Sequence, residues 1–426
     1  MKGKFKMIQI IKNKQIGENV YMEKLENGMT IMCIPKPNTN KKYIIWGIKY
    51  GSIDNKFVVP TTKKQIEVPN GVAHFLEHKM FEQENGTNSL DTLTALGVEA
   101  NAYTTNDHTA YLFECTDNFY PALDELMNYV QHPYFTDQNV EKEKGIIGQE
   151  IMMYDDYPIW KVYLNALNNL YINNPIKIDI TGTKETISKI TKETLYDCYN
   201  TFYHPSNTCL VVSGNFEPEK IINEIKERVI NKNSQEEIKR IYEKEPKQIN
   251  KKETIANMEV SMPVFTIAIK DNIEKNMVQK HIAIEILLNI ILGQSSNLYQ
   301  NLYKQELIQQ EPDLDYEFSR DYAHIMITGQ SKNPQKLFEL FQKEVEQYKN
   351  NINQEDFERS KRKIYGNYVQ EFNEVSDISK MFLADFFKGI NSFDYIEQCQ
   401  TITKQYAMEI LKNVFLQENM TISIVE

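Results

Sequence analysis

Apolar residues recur along this chain at two spacings, and the switches between them mark its elements. Residues 30–34 and 43–50 are short β-prone runs and predict strands. Residues 102–114 alternate through Tyr103, Thr105, Thr109, Tyr111 and Phe113 and predict one or two more. Residues 71–81 read as a helix, and residues 121–130 as an amphipathic one. A longer helix is expected over 137–153, with Thr136 as N-cap and Asp137, Glu141 and Glu143 near its positive end. Strands and helices alternate without regular βαβ spacing, so the expected class is α+β rather than doubly wound.

Part of this pattern occurs twice. Ile190-Thr191-Lys192 returns as Ile402-Thr403-Lys404, Phe202-Tyr203 as Val414-Phe415, Asn207 as Asn419, and Leu210-Val211-Val212 as Ile422-Ser423-Ile424. The offset is 212 positions each time, and each copy reads as helix, turn and strand. This predicts two similar domains related by internal duplication. The N-terminal domain is expected over 1–230 and the C-terminal one over 254–426. A polar, charge-rich linker is expected over 231–253, its first part compatible with a helix.

Composition narrows the function classes. A chain of 426 residues suits two domains of about 200 each. A formal charge of −11 argues against nucleic acid or an anionic membrane as partner. The five cysteines, Cys33, Cys115, Cys198, Cys209 and Cys399, form no CxxC pair, which favours buried free thiols in a reducing compartment. Residues 1–6 are basic, but the apolar run after them is too short for a signal peptide. The longest apolar stretch, 282–292, is interrupted by Glu285 and Asn289 and is about half a membrane span. A cytoplasmic protein that crosses no membrane is the expectation.

The chemistry concentrates at His74-Phe75-Leu76-Glu77-His78. On a helix, positions 74 and 78 share a face, and two imidazoles at that spacing can hold one zinc ion. Glu77 falls within roughly 100° of arc of both, where a base could take a proton from water at the metal. The bland alternative is a solvated helix with two unrelated histidines. A catalytic zinc also needs a third ligand. Glu143 and Glu150, seven apart on one helix face, are candidates, or else members of a charged solvated face. Gly145 and Gly148 between them cost helix stability and suggest the close approach of another element. The remaining histidines, His108, His132, His204, His281 and His324, read as structural, although His108 could face a substrate channel.

The segment Gly71-Val72-Ala73-His74-Phe75-Leu76-Glu77-His78-Lys79-Met80-Phe81 resembles the pitrilysin, or insulinase-like, peptidases, which are inverted zincins. Asn101-Ala102-Tyr103-Thr104, Glu141-Lys142-Glu143-Lys144-Gly145-Ile146-Ile147-Gly148-Gln149-Glu150-Ile151 and Tyr203-His204-Pro205-Ser206-Asn207 are similar to the same family. The resemblance covers about residues 25–220, with a looser match beyond. It implies one Zn2+ per chain, held by His74, His78 and Glu150, with Glu77 as the base and Glu143 orienting a ligand imidazole. It implies that Asn101, Ala102 and Tyr103 lie at a sheet edge where an extended peptide adds as a strand, Asn101 bonding its backbone. The implied fold is two similar α+β domains forming one half of a clam-shell peptidase chamber.

One departure changes this picture. Family members commonly use an Arg and a Tyr from a second half-shell to stabilise the oxyanion. They follow a helix start like Ser296-Asn297-Leu298-Tyr299-Gln300-Asn301-Leu302, but here those positions hold Tyr303 and Ile308. Tyr316 and Arg320 are nearby but off register. The expectation is a zinc metalloendopeptidase acting on extended peptides or on leader and targeting segments. It would be the metal-bearing subunit of a heterodimer whose related partner supplies Arg and Tyr. A homodimer is open if Tyr316 substitutes. The alternative is a non-catalytic peptide-binding or structural chamber subunit.

Overall fold

The β-prone runs form strands, and their pairing divides the chain into two units. The computed structural model describes residues 8–230, 232–233 and 235–426; the basic residues 1–6 lie outside these, as do Met7, Asn231 and Ser234. The first unit comprises residues up to Ile151, with Asp179–Tyr242 and Glu371–Ser392. The second comprises Met152–Ile178, Glu243–Gln370 and Phe393–Glu426.

The first unit carries β1 (Gln9–Asn13), β2 (Glu18–Lys24), β3 (Thr30–Pro35), β4 (Lys42–Ile48), β5 (Lys56–Val58), β6 (Gln65–Glu67), β7 (Glu99–Thr104), β8 (Thr109–Cys115), β9 (Thr208–Gly214) and β10 (Lys239–Arg240). Among the described residues, seven of these form one sheet in the order β1-β2-β3-β9-β4-β8-β7. Only the β3–β9 pair in it is parallel. Residues 102–114 are therefore two strands, with Thr104 opposite Thr109 and a turn closed by Thr105 N donating to His108 O at 2.8 Å. β7 is the last strand and leaves one side of its backbone unpaired in the sheet.

Strand alternation sends Ile31, Cys33, Ile44, Trp46, Leu210 and Val212 to one face. There they pack in one core with α1 (Val72–Lys79), α2 (Ser89–Ala95), α3 (Phe119–Gln131) and α4 (Asp137–Asp155). The other face, with Tyr43, Ile45, Gly47, Val211 and Ser213, is covered by the helix Val375–Lys388. That helix comes close because Gly47 has no side chain; a Cβ there would lie 2.4 Å from Leu383 Cδ1. Ser213 Oγ donates to Val375 O at 2.6 Å and pairs with Ser379 Oγ at 2.7 Å.

The second unit carries β11 (Glu253–Ala256), β12 (Val264–Asp271), β13 (Asp313–Phe318), β14 (Ala323–Gln330) and β15 (Met420–Val425), in the order β11-β15-β12-β14-β13. β11–β15 is parallel and the rest antiparallel, the same pattern as β3-β9-β4-β8-β7. The duplicated segments agree in detail. The helices Lys192–Phe202 and Lys404–Val414 are capped by Thr191 and Thr403, and each runs through a 3-10 turn into β9 or β15. The fold is α+β with two similar domains, as the repeat implied. The most apolar stretch, within Met277–Lys304, is the one described helix long and apolar enough to cross a membrane, and most of it is buried within the protein. Its residues Ile282, Ala283, Ile286, Leu287, Ile290 and Ile291 are all buried.

The compact units do not follow the continuous division at 231–253. α5 (Pro158–Leu170) belongs to the second unit, because Val162, Ala166, Leu167 and Leu170 bury its apolar face on β12 and β15. The helix Val375–Lys388 belongs to the first for the corresponding reason. Nor do the described residues in the early part of the expected linker, 232–233 and 235–238, form a helix. β10 pairs with β5, and Arg240 Nε lies 2.9 Å from the fully buried Asp54 carboxylate, which also accepts from the Tyr242 hydroxyl.

Candidate metal centre

α1 starts at Gly71, whose left-handed backbone (φ 92°) would put a Cβ 2.5 Å from Thr181 O. Glycine therefore permits the turn that aims the helix. One turn later the rings of His74 and His78 stand side by side, centroids 4.5 Å apart. α4 begins with the expected cap: Asn139 N donates to Thr136 Oγ1 at 3.1 Å, and Thr136 N to Asn139 Oδ1 at 2.8 Å. Its regular turns then carry Glu143 and Glu150 past α1.

Glu150 meets both histidines. Its Oε1 lies 3.6 Å from His74 Nε2 and its Oε2 3.6 Å from His78 Nε2. These separations are too long for hydrogen bonds. They are close to the spacing of about 3.3–3.5 Å between ligands around an ion with bonds of about 2.0–2.2 Å. One donor atom from each of the three residues falls within 4.8 Å of the others. Glu150 Oε2 and His74 Nδ1 are buried without a hydrogen-bond partner among the described residues. Two imidazoles and one carboxylate converging, with polar atoms left unpaired, is a donor set that fits a divalent zinc ion.

Glu143 stands behind. Its Oε1 accepts from His78 Nδ1 at 3.1 Å, which leaves Nε2 bare on the side facing Glu150. Its Oε2 is 3.5 Å from Nζ of Lys79, a side chain only 1% exposed. Burial alone would raise Glu143, but the His78 bond and the Lys79 charge hold it below the usual carboxylate range. Burial works against charge on His78, yet the Glu143 bond and the charges of Glu77, Glu143 and Glu150 raise it above the ordinary histidine value. His74 is pushed down to about 3, by burial first and by His78 second. Burial raises Glu150.

Glu77 is buried next to this cluster, and Thr104 Oγ1 donates to its Oε2 at 2.6 Å. Burial raises the proton affinity of Glu77, and the Thr104 bond partly offsets that. Asn101 and Ala102 line a cavity of about 460 Å3 together with Glu77, His78, Glu143 and Phe81. Asn101 is exposed on the edge strand, its Oδ1 accepting from Ala102 N at 2.8 Å. Tyr103 does not line that cavity. Alternation along β7 puts it on the face opposite Ala102 and Thr104, where its hydroxyl is 3.4 Å from His108 Nε2. His108 is buried, and its Nδ1 lies 2.7 Å from Asp107 Oδ1.

Several expectations change here. A Cβ at Gly145 or Gly148 would meet nothing within 4 Å, so neither glycine serves a close approach. Tyr316 cannot stand in for a free phenol, because it is 2% exposed and donates to Asp271 Oδ2 at 2.6 Å. Ile308 is buried, and Tyr303 is 54% exposed and stacked on Tyr299. Thr104 and Lys79 were given no role by the sequence. Both lie in segments similar to the family, and Lys79 follows the second histidine directly.

Similarity to known proteins identifies the family. A model described as Insulinase (Peptidase family M16) matches residues 66–184, and one described as Peptidase M16 inactive domain matches residues 189–364. A Bacillus subtilis protein, named as the uncharacterized zinc protease YmfH, is 37% identical over 418 residues, 97% of this chain and 96% of its own. The chain belongs to the insulinase, or M16, family of peptidases. The crystal structure of an M16-like peptidase from Alicyclobacillus acidocaldarius shares its fold with a TM-score of 0.92 and 32% identity, over 97% of this chain and 99% of that one. The Escherichia coli periplasmic protease PqqL also shares the M16 fold, with a TM-score of 0.75 at 16% identity; 98% of this chain matches 48% of that one.

Proposed function

We propose that this M16 chain is the metal-bearing subunit of a zinc endopeptidase that cleaves extended peptides, such as leader or targeting segments. The observation that carries this reading is the convergence of His74, His78 and Glu150 with Glu77 at their side. His74, His78 and Glu150 would hold the zinc. When bound, it supplies a Lewis acid that makes water more acidic and polarises the scissile carbonyl.

The chain's own groups do the rest. Glu143 keeps the His78 proton on Nδ1, so Nε2 remains a donor atom. Thr104 holds one oxygen of Glu77, leaving the other to take a proton from the attacking water and return it to the leaving amine. Burial raises the proton affinity of Glu77, which favours its accepting that proton. The open side of β7 offers backbone donors and acceptors to a peptide lying along Asn101 and Ala102. Only an unfolded segment can add as a strand, so flexible peptides are the expected substrates.

The oxyanion groups support a second chain. Tyr303 and Ile308 occupy the positions where the family pattern has Arg and Tyr, and Tyr316 is tied to Asp271. A related partner supplying Arg and Tyr would complete the site. The five cysteines are free and buried, which fits a reducing, cytoplasmic setting. The test is peptide cleavage by the purified chain with and without its co-purifying partner. Zinc-loaded chain should cleave poorly alone and well with the partner. A native protein without zinc would sink the reading outright.

A further inference from the structure

Lysine is among the residues least often fully buried, and its ammonium is costly to bury unless paired. Lys79 is in the last turn of α1, one residue past His78, and its side chain is 1% exposed. Two carboxylates meet it. Glu82 is in direct contact through a salt bridge and keeps 35% of its side chain exposed. Glu143 is 3.5 Å away through Oε2, and its other oxygen accepts from His78 Nδ1 at 3.1 Å. A chain of charge therefore runs from Glu82 through Lys79 and Glu143 to His78. Nothing in packing requires a cation at this place, since an unbranched apolar side chain would fill the same space.

We propose that Lys79 is a positioning cation: it draws part of the Glu143 charge away from His78, weakening the hold on the metal and keeping the bound ion electron-poor. The inference rests on the metal-centre reading above. A carboxylate shared with an ammonium polarises the imidazole N–H less, and the imidazole is then a weaker electron donor through Nε2. The positive charge also opposes a cation nearby. Both effects loosen binding, and both leave a stronger Lewis acid. Glu82 moderates this, because it holds part of the Lys79 charge for itself. The two neighbours of this chain of charge should therefore act in opposite directions.

Zinc affinity, measured by competition with a chromophoric chelator at fixed pH, is the readout, with thermal melting as the check on folding. Lys79→Met should bind zinc on the order of tenfold more tightly, and when loaded and paired with its partner should turn over more slowly. Glu82→Gln should bind about threefold more weakly, because Lys79 then pulls harder on Glu143. In a Glu143→Gln background, Lys79→Met should have a smaller effect, because only the direct charge repulsion remains. A merely structural lysine would not give opposite signs at positions 79 and 82, nor an effect that shrinks with loss of the Glu143 charge. A folded Lys79→Met with unchanged or weaker affinity overturns the inference, as does an undiminished effect without Glu143. Should Lys79→Met not fold, Glu82→Gln decides: weaker binding supports the inference and unchanged binding overturns it. Wild-type protein that fails to take up zinc overturns the metal centre itself, and this inference with it.

Discussion

His78 Nδ1 lies 3.1 Å from Glu143 Oε1, so the orientation of one candidate ligand is set by a residue 65 positions away. Removing the Glu143 charge should weaken zinc binding while leaving the three donors in place. Glu143→Gln is expected to lose about 10–100-fold in zinc affinity, read by chelator competition on folded protein. Unchanged affinity would mean that the bond orients nothing.

Protons should compete with the metal at His78. Its proton affinity is raised in the metal-free protein, chiefly by Glu143 against the effect of burial. Zinc must displace that proton, so affinity should fall as pH drops through the raised value, by about tenfold per pH unit. Burial-raised Glu150 adds to the fall at lower pH. His74, at about 3, adds nothing above that. Zinc isotherms between about pH 8 and about pH 5.5 would show it.

The same pair has a signature without metal. A raised His78 contributes stability below the ordinary histidine pKa, and that contribution is lost as pH rises through the raised value. A lowered Glu143 contributes above the ordinary carboxylate pKa, and its contribution is lost as pH falls through the lowered value. Metal-free protein should therefore gain most from the pair between those two limits. Melting curves of wild type and Glu143→Gln across that window should converge at either end.

Thr104 donates to Glu77 at 2.6 Å, and that bond lowers the proton affinity of the glutamate. Thr104→Val keeps the shape and removes the bond. Zinc content should be unchanged, turnover should fall about tenfold, and the acid limb of the pH–rate profile should move upward.

Gly145 is exposed on α4 with open space where a Cβ would be. Gly145→Ala should raise stability by about 0.5–1 kcal/mol in a denaturant titration. A loss instead would mean the helix must bend or yield there.

Helix periodicity made much of the centre legible in advance. Positions 74, 77 and 78 share one face, as do 143 and 150, and the structure turns the two faces together. What stayed hidden depends on partners distant in sequence. Thr104 reaches Glu77 only because β7 pairs with β8 in one register. Lys79 reads as a solvated lysine until the burial of its turn is known. The apolar stripes of 158–170 and 375–388 announce a buried face but not the sheet that receives it. Two glycines in one helix suggested a close neighbour, and the helix has none there.

The covering of the first sheet by Val375–Lys388 bears on how the protein is made. β3, β4 and β9 leave the ribosome long before that helix does. At roughly 5–20 residues per second, the nascent sheet waits on the order of ten seconds or more for its second face. During that time Ile45 and Val211 stand bare, next to helices that already carry both histidines and Glu150. The metal half is thus finished by a segment translated well after it.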